Sequence, residues 1–201
     1  GDEVTATKSD QPGITIASIE GDGGKLPLET EKNTAGLSAT SLLKELGIGE
    51  KAGIELRIKK NMPLGSGLGS SAASSAAAVV AVNEFLGKPF TTSELLPFAV
   101  DGEIAASGTA HADNVAASLF GGFILVKTHQ PPDVITLPTP EDLHCTIVHP
   151  HIEIKTKNSR MILKKEILLE KAVTQWANVG ALVAGLYKND YTLIARSLHD
   201  E

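Results

Sequence analysis

The amino-acid sequence predicts an α+β chain, and three observations predict it. Gly13 to Glu20 (GITIASIE) and Gly53 to Lys60 (GIELRIKK) alternate apolar and polar residues, the period of a strand with one buried face. Asn33 to Leu46 sets Leu37, Leu42, Leu43 and Leu46 at helical spacing and stops at Gly47, a good C′ residue. Between Pro63 and Leu86 a glycine–serine run passes into alanine and valine, so a loop should open a buried helix.

In chain order, the first strand is followed by the turn Gly21-Asp22-Gly23-Gly24 and by Lys25 to Leu28, a pattern that predicts a hairpin. The second strand feeds directly into the glycine loop. Gly65 to Ala81 has the composition of a flexible linker. A linker, however, does not continue into Ala-Ala-Ala-Val-Val-Ala-Val or end on the stop signals Gly87 and Pro89. The helix should therefore run from about Ser70 to Leu86 and pack centrally. Thr91-x-x-Glu94 has capping-box spacing and starts another helix, with Pro97 kinking or restarting it, up to Ser107-Gly108. His111 to Leu119 reads as a short helix and Phe123 to Lys127 as a strand. His129 to Pro140, with four prolines, reads as a loop and a domain boundary. Beyond it a strand is expected over Leu143 to Val148 and helices over Ser159 to Asp200. The domains expected are 1–140 and 141–201.

Composition narrows the function. The 201 residues allow one large domain or one domain with part of a second. A net charge of −6 argues against a nucleic-acid footprint, and 4% aromatics leave few stacking platforms for single strands. No apolar run approaches the roughly 18 residues a membrane helix needs, and Gly1 to Asp10 lacks the apolar core of a signal peptide. One cysteine, Cys145, permits no intramolecular disulfide and suits a reducing compartment, so a cytoplasmic location is expected. His149-Pro-His151 has no third ligand nearby in sequence and is not read as a zinc site.

A strand, a glycine loop and a buried helix can hold an anion for a definite reason. The first N–H groups of a helix lack internal partners, and its dipole puts about half a positive charge there. Gly65, Gly67 and Gly69 allow close approach and positive φ, while Ser66, Ser70 and Ser71 add hydroxyls. No lysine follows the glycines as in G-x-x-x-x-G-K-[ST], and Gly65-x-Gly67-x-Gly69 is not G-x-G-x-x-G.

The wording of the loop is more specific. Pro63-Leu64-Gly65-Ser66-Gly67-Leu68-Gly69-Ser70-Ser71-Ala72 resembles the phosphate-binding motif of the GHMP kinases, P-x-x-x-G-L-x-S-S-A, at every fixed position. Within that family the version here is most similar to that of the homoserine kinases. A second segment, from Glu103 through Ser107, Gly108, His111, Asp113 and Asn114 to Ala116, resembles their E-x-x-x-S-G-x-x-H-x-D-N-V-A block. A third, Thr156 to Arg160, resembles their T-x-x-x-R segment. The family's opening strand and loop have no counterpart here. Neither do its closing glycine-rich motif and second substrate arginine. The chain is therefore expected to be an internal part of a longer protein, without the first strands and with a truncated second domain.

The resemblance implies a GHMP kinase-like two-domain fold: an N-terminal ribosomal S5 domain 2-like domain and part of a ferredoxin-like C-terminal domain. It implies ATP and Mg²⁺ as cofactors and phosphorylation of the L-homoserine hydroxyl in threonine biosynthesis. ATP would lie against Asn33 (near the adenine) and the loop residues Pro63, Leu64, Gly65, Ser66, Gly67, Leu68, Gly69, Ser70, Ser71, Ala72 and Ala73. Ser71 and Glu103 would hold the metal; His111, Asn114 and Arg160 would hold the amino acid, the arginine gripping its carboxylate. Glu103 and Asn114 are the catalytic candidates. An asparagine cannot take a full proton, so direct attack of the hydroxyl is expected, with Asp113 as the neighbouring alternative base. Partners are expected to be small molecules, with neither nucleic acid nor membrane and with a homodimer left open. The alternatives are another GHMP small-molecule kinase, of the mevalonate or diphosphocytidyl-methylerythritol type, and a nucleotide-binding fragment without catalysis.

Overall fold

A computed structural model describes residues 1–49, 51–108, 112–129, 131–148 and 166–200. The chain divides into two compact units, Gly1–Ile135 and Thr136–Glu201. The break comes slightly earlier than the boundary expected after residue 140.

The first unit is built on a three-stranded sheet, β1 (Glu3–Lys8), β2 (Gly13–Glu20) and β3 (Gly53–Lys59), in the order β1-β3-β2. β1 runs antiparallel to β3, from Glu3↔Lys59 to Lys8↔Ile54, while β2 runs parallel to β3. The expected hairpin after β2 therefore does not form. Lys25 to Leu28 is not a strand, and the chain instead crosses over through α1 (Thr34–Glu45) to reach β3. The alternation of β2 also breaks. The register shifts between Ile16 and Ser18, so Ile14, Ile16 and Ile19 pair with Ile54, Leu56 and Ile58. One extra residue keeps Ile19 packed against the core where strict alternation would turn it outward. β1 was not among the expected elements. Its sequence, EVTATK, has only Val4 and Ala6 to offer the core.

Among the described residues four α-helices pack in this unit: α1, α2 (Ser70–Phe85), α3 (Thr92–Ser107) and α4 (Ala112–Phe120). α2 is the central one, touching β1, β3, α1, α3 and α4. Its small residues permit this, since Ala72, Ser74, Ser75, Ala76, Ala78, Val79 and Val82 are all buried. α3 continues through Pro97 as one element and begins at the predicted cap, where the Thr91 N–H and hydroxyl donate to Glu94 Oε2 at 2.8 and 2.7 Å. α3 also crosses α1 at very close range. A Cβ on Gly102 would fall on Ser38 Oγ and lie 2.7 Å from the Ser38 nitrogen and the Thr34 carbonyl oxygen, so only glycine fits there.

β4 (Phe123–His129) and β5 (Pro132–Leu137) form a separate two-stranded sheet. The proline-rich loop expected over residues 129–140 is thus partly a strand. Pro132 opens it, a position where proline's missing N–H is tolerated. Leu143 to Val148, expected as a strand, carries no regular element, and among the described residues no strand pairs with it. The second unit contains α5 (Leu169–Lys188) and α6 (Tyr191–Arg196), joined where Asn189 takes a left-handed turn and Asp190 caps Leu193. Cys145 is free and exposed. No described helix is long and apolar enough to cross a membrane.

Candidate active site

The glycine loop joins the end of β3 to the start of α2. Gly65, Gly67 and Gly69 all take positive φ, at 67°, 77° and 75°, which is why the loop needs glycine there. Gly69 stands at the N-cap of α2 in the left-handed conformation, and no side chain caps the helix. The first-turn amides, which have no intrahelical acceptor, are thus presented at the loop. Ser66 stiffens the turn by donating its hydroxyl to the Pro63 carbonyl at 2.8 Å. Pro63, Gly65, Gly67 and Leu68 are exposed, Leu64, Ser66, Gly69 and Ala73 half-buried, and Ser70 and Ala72 buried.

Two further elements bring polar groups to this helix end. α3 delivers Glu103, only 2% exposed. Ser71, on the first turn of α2, donates its hydroxyl to Glu103 Oε2 at 3.2 Å, and Ser75, one turn on, reaches Oε1 at 3.5 Å. Ser71 itself is exposed, so the pair runs from the rim of the loop to a buried carboxylate. α4 delivers Asn114, half-buried in its first turn; a Cβ on Gly69 would lie 3.1 Å from Asn114 Oδ1. Glycine at 69 is favoured by its positive φ, and any larger residue would also crowd the asparagine side chain beside it. Asp113, beside Asn114, is exposed.

Ser71, Glu103 and Asn114, scattered over more than forty positions, are thus gathered at one end of α2. His111 and Arg160 lie outside the described residues. Asn33 has a visible structural role. It caps α1 by accepting from the Ala35 N–H at 3.0 Å and donates to the Pro27 carbonyl at 3.0 Å, so both ends of its buried carboxamide are engaged in the fold.

Sequence reasoning missed a group beneath the loop. Asp2 and Lys60 form an ion pair with side chains 0% and 2% exposed. Burial alone would raise the Asp2 pKa. The Lys60 ammonium, the Met62 N–H and the Ser74 hydroxyl outweigh that and hold it below the ordinary aspartate value. The signal that could have found the pair is the position of Lys60 at the end of a strand leading into the loop.

Residues 33–122 match the family described as the GHMP kinases N terminal domain. The chain is 51% identical to a homoserine kinase of Chlorobium phaeobacteroides, over all of this chain and 65% of that protein. It is 49% identical to a homoserine kinase of Chlorobaculum tepidum, over all of this chain and 64% of the relative. The crystal structure of a homoserine kinase from Cytophaga hutchinsonii superposes with a TM-score of 0.95 at 54% identity, covering this whole chain and 63% of that one. A mevalonate kinase from L. major has the same fold at 16% identity, with a TM-score of 0.67 over 98% of this chain and 63% of its own. The chain thus spans a little under two thirds of the length of these homoserine kinases.

Proposed function

We propose that this chain, which has the GHMP kinase fold and whose residues 33–122 belong to the GHMP kinase N-terminal domain family, forms the nucleotide-binding part of a homoserine kinase. The enzyme would transfer the γ-phosphoryl group of ATP to the hydroxyl of L-homoserine, giving O-phospho-L-homoserine for threonine biosynthesis. One observation carries this proposal. The family's phosphate loop opens a helix whose first-turn serine is bonded to a buried glutamate, in a chain about half identical throughout to homoserine kinases. A reducing, cytoplasmic setting and small-molecule partners accord with it.

The loop amides and the N-terminal dipole of α2 receive the triphosphate. Ser71 and Glu103 offer two hard oxygen donors within 3.2 Å of each other. Among the described residues no group of three or more His, Cys, Asp or Glu could hold a metal. A cation here would take its remaining ligands from phosphate and water, the habit of Mg²⁺. When bound, Mg²⁺ neutralises charge on the β- and γ-phosphates. Asn114 lies against Gly69 at the loop, and the resemblance assigns it, with His111 and Arg160, to the amino-acid substrate. The homoserine oxygen bonds to the γ-phosphorus as the bond to ADP breaks, and the hydroxyl proton is lost to a phosphate oxygen or to water. Asn114 orients the hydroxyl and takes no proton.

The test is a steady-state assay of the full-length protein with Mg²⁺, ATP and L-homoserine, following ADP release and identifying the product by phosphorus NMR. Homoserine-dependent turnover is expected, with mevalonate a poor acceptor. Glu103→Gln should lower kcat on the order of 100-fold while leaving ATP affinity within a few-fold. ADP release indifferent to homoserine, or faster with another alcohol, would overturn the assignment.

A further inference from the structure

The ion pair beneath the loop joins groups that are distant in sequence, and its partners are not the hydrophobic core but the two flanks of the loop. Asp2 lies one residue before the first β1–β3 pair, Glu3↔Lys59, which brings it opposite Lys60. Its Oδ1 accepts from the backbone N–H groups of Asn61 and Met62 at 3.0 and 3.1 Å, on the entry side of the loop. Its Oδ2 accepts from the hydroxyls of Ser70 and Ser74 at 3.0 and 2.9 Å, on the exit side. Lys60 completes the bridge, donating to Asp2 Oδ2, to the Ser70 carbonyl at 2.9 Å and to Ser74 Oγ at 2.7 Å. All three ammonium hydrogens have acceptors. Asn61 adds an outer tie, its amide donating to the Gly1 carbonyl at 3.1 Å and to Glu3 Oε1 at 2.9 Å.

A buried ion pair is a poor source of stability, because desolvation of both charges offsets their attraction, and apolar residues of similar volume often serve as well. What such residues cannot supply is this pattern of directed bonds. We propose that Asp2 and Lys60 are a positioning pair for the phosphate loop, fixing the distance and tilt between its strand-side and helix-side ends and hence the aim of its amides. The pair acts through the loop and touches no substrate. The inference rests on the assignment of the loop to the phosphates of ATP. It adds that loop geometry is set from below, by a carboxylate and an ammonium outside the family motif.

The experiment uses the full-length protein and the double variant Asp2→Leu/Lys60→Met, which replaces both charges by apolar groups. Thermal melting should stay within a few degrees of wild type. Calorimetry should show Mg·ATP affinity reduced on the order of 10- to 100-fold, the scale of a misaimed binding group. KM for ATP should rise and KM for homoserine should not, a split that general loosening would not produce. If the double variant fails to fold, Asp2→Asn is read in the same assays, with a loss of at least tenfold in Mg·ATP affinity expected. A folded variant of either kind with wild-type Mg·ATP affinity would overturn the proposal. Wild-type protein that binds no Mg·ATP would overturn the phosphate assignment itself, and the positioning role with it.

Discussion

The two units of the chain differ in how much of their apolar surface they bury. In the first, Leu42, Leu43, Ile54, Leu56, Val79, Val82 and Val115 are fully buried in one continuous core that links the sheet to all four helices. In the second, among the described residues, Leu186 and Ile194 are the buried hydrophobics, where α6 packs on Gly185. Leu169 (72% exposed), Val173 and Trp176 (66% exposed) line α5 at helical spacing and face solvent. The loop, Ser71, Glu103 and Asn114 all belong to the first unit. The proposed site is thus carried by the unit with the continuous core, and among the described residues the second unit contributes none of its members.

The strongest test of that contrast pairs two glycines. Gly69→Val should reduce nucleotide affinity more than about 100-fold, because the side chain meets a positive φ and Asn114 together. Gly180→Val on α5, with nothing within 4 Å of its Cβ, should leave affinity unchanged. Calorimetry with Mg·ATP reads both, and equal losses would mean the site draws on the second unit. Next comes stability. Leu42→Ala should cost about 2–5 kcal/mol by urea unfolding, and Trp176→Ala within about 0.5 kcal/mol, since one is buried and the other exposed. The smallest effect concerns acid. The folded Asp2 pKa lies below its unfolded value of about 3.9, so its contribution is fully present above that pH and is lost as pH falls through the folded value. Melting curves of wild type should therefore drop below about pH 4 more steeply than those of Asp2→Asn.

How much of this was legible in the sequence depends on whether the signal was local. α2 is bounded by glycines and filled with alanine, so its ends could be read directly; α1 was equally plain, between Asn33 and Gly47. The identity of the loop glycines permits positive φ, which all three take in the folded chain. β1 was not legible, because EVTATK becomes a strand only through pairing with β3, some fifty residues away. The bulge in β2 is visible only once Ile19 has a partner in Ile58. In the site, Glu103 carries no local mark of function. Only resemblance singled it out, and its meeting with Ser71 is a product of helix packing. Asp2 had neither motif nor periodicity to recommend it.

The crossing of α1 and α3 bears on that glutamate. Gly102 is the point at which the two helix backbones nearly touch, and Glu103 is the next residue. The carboxylate therefore sits beside a fulcrum. A methyl group added at position 102 would lever α3 away from α1 and carry Glu103 with it, altering the site without changing any group in it. A steric limit on this site thus lies one residue before its buried acid, at a position with no chemistry of its own.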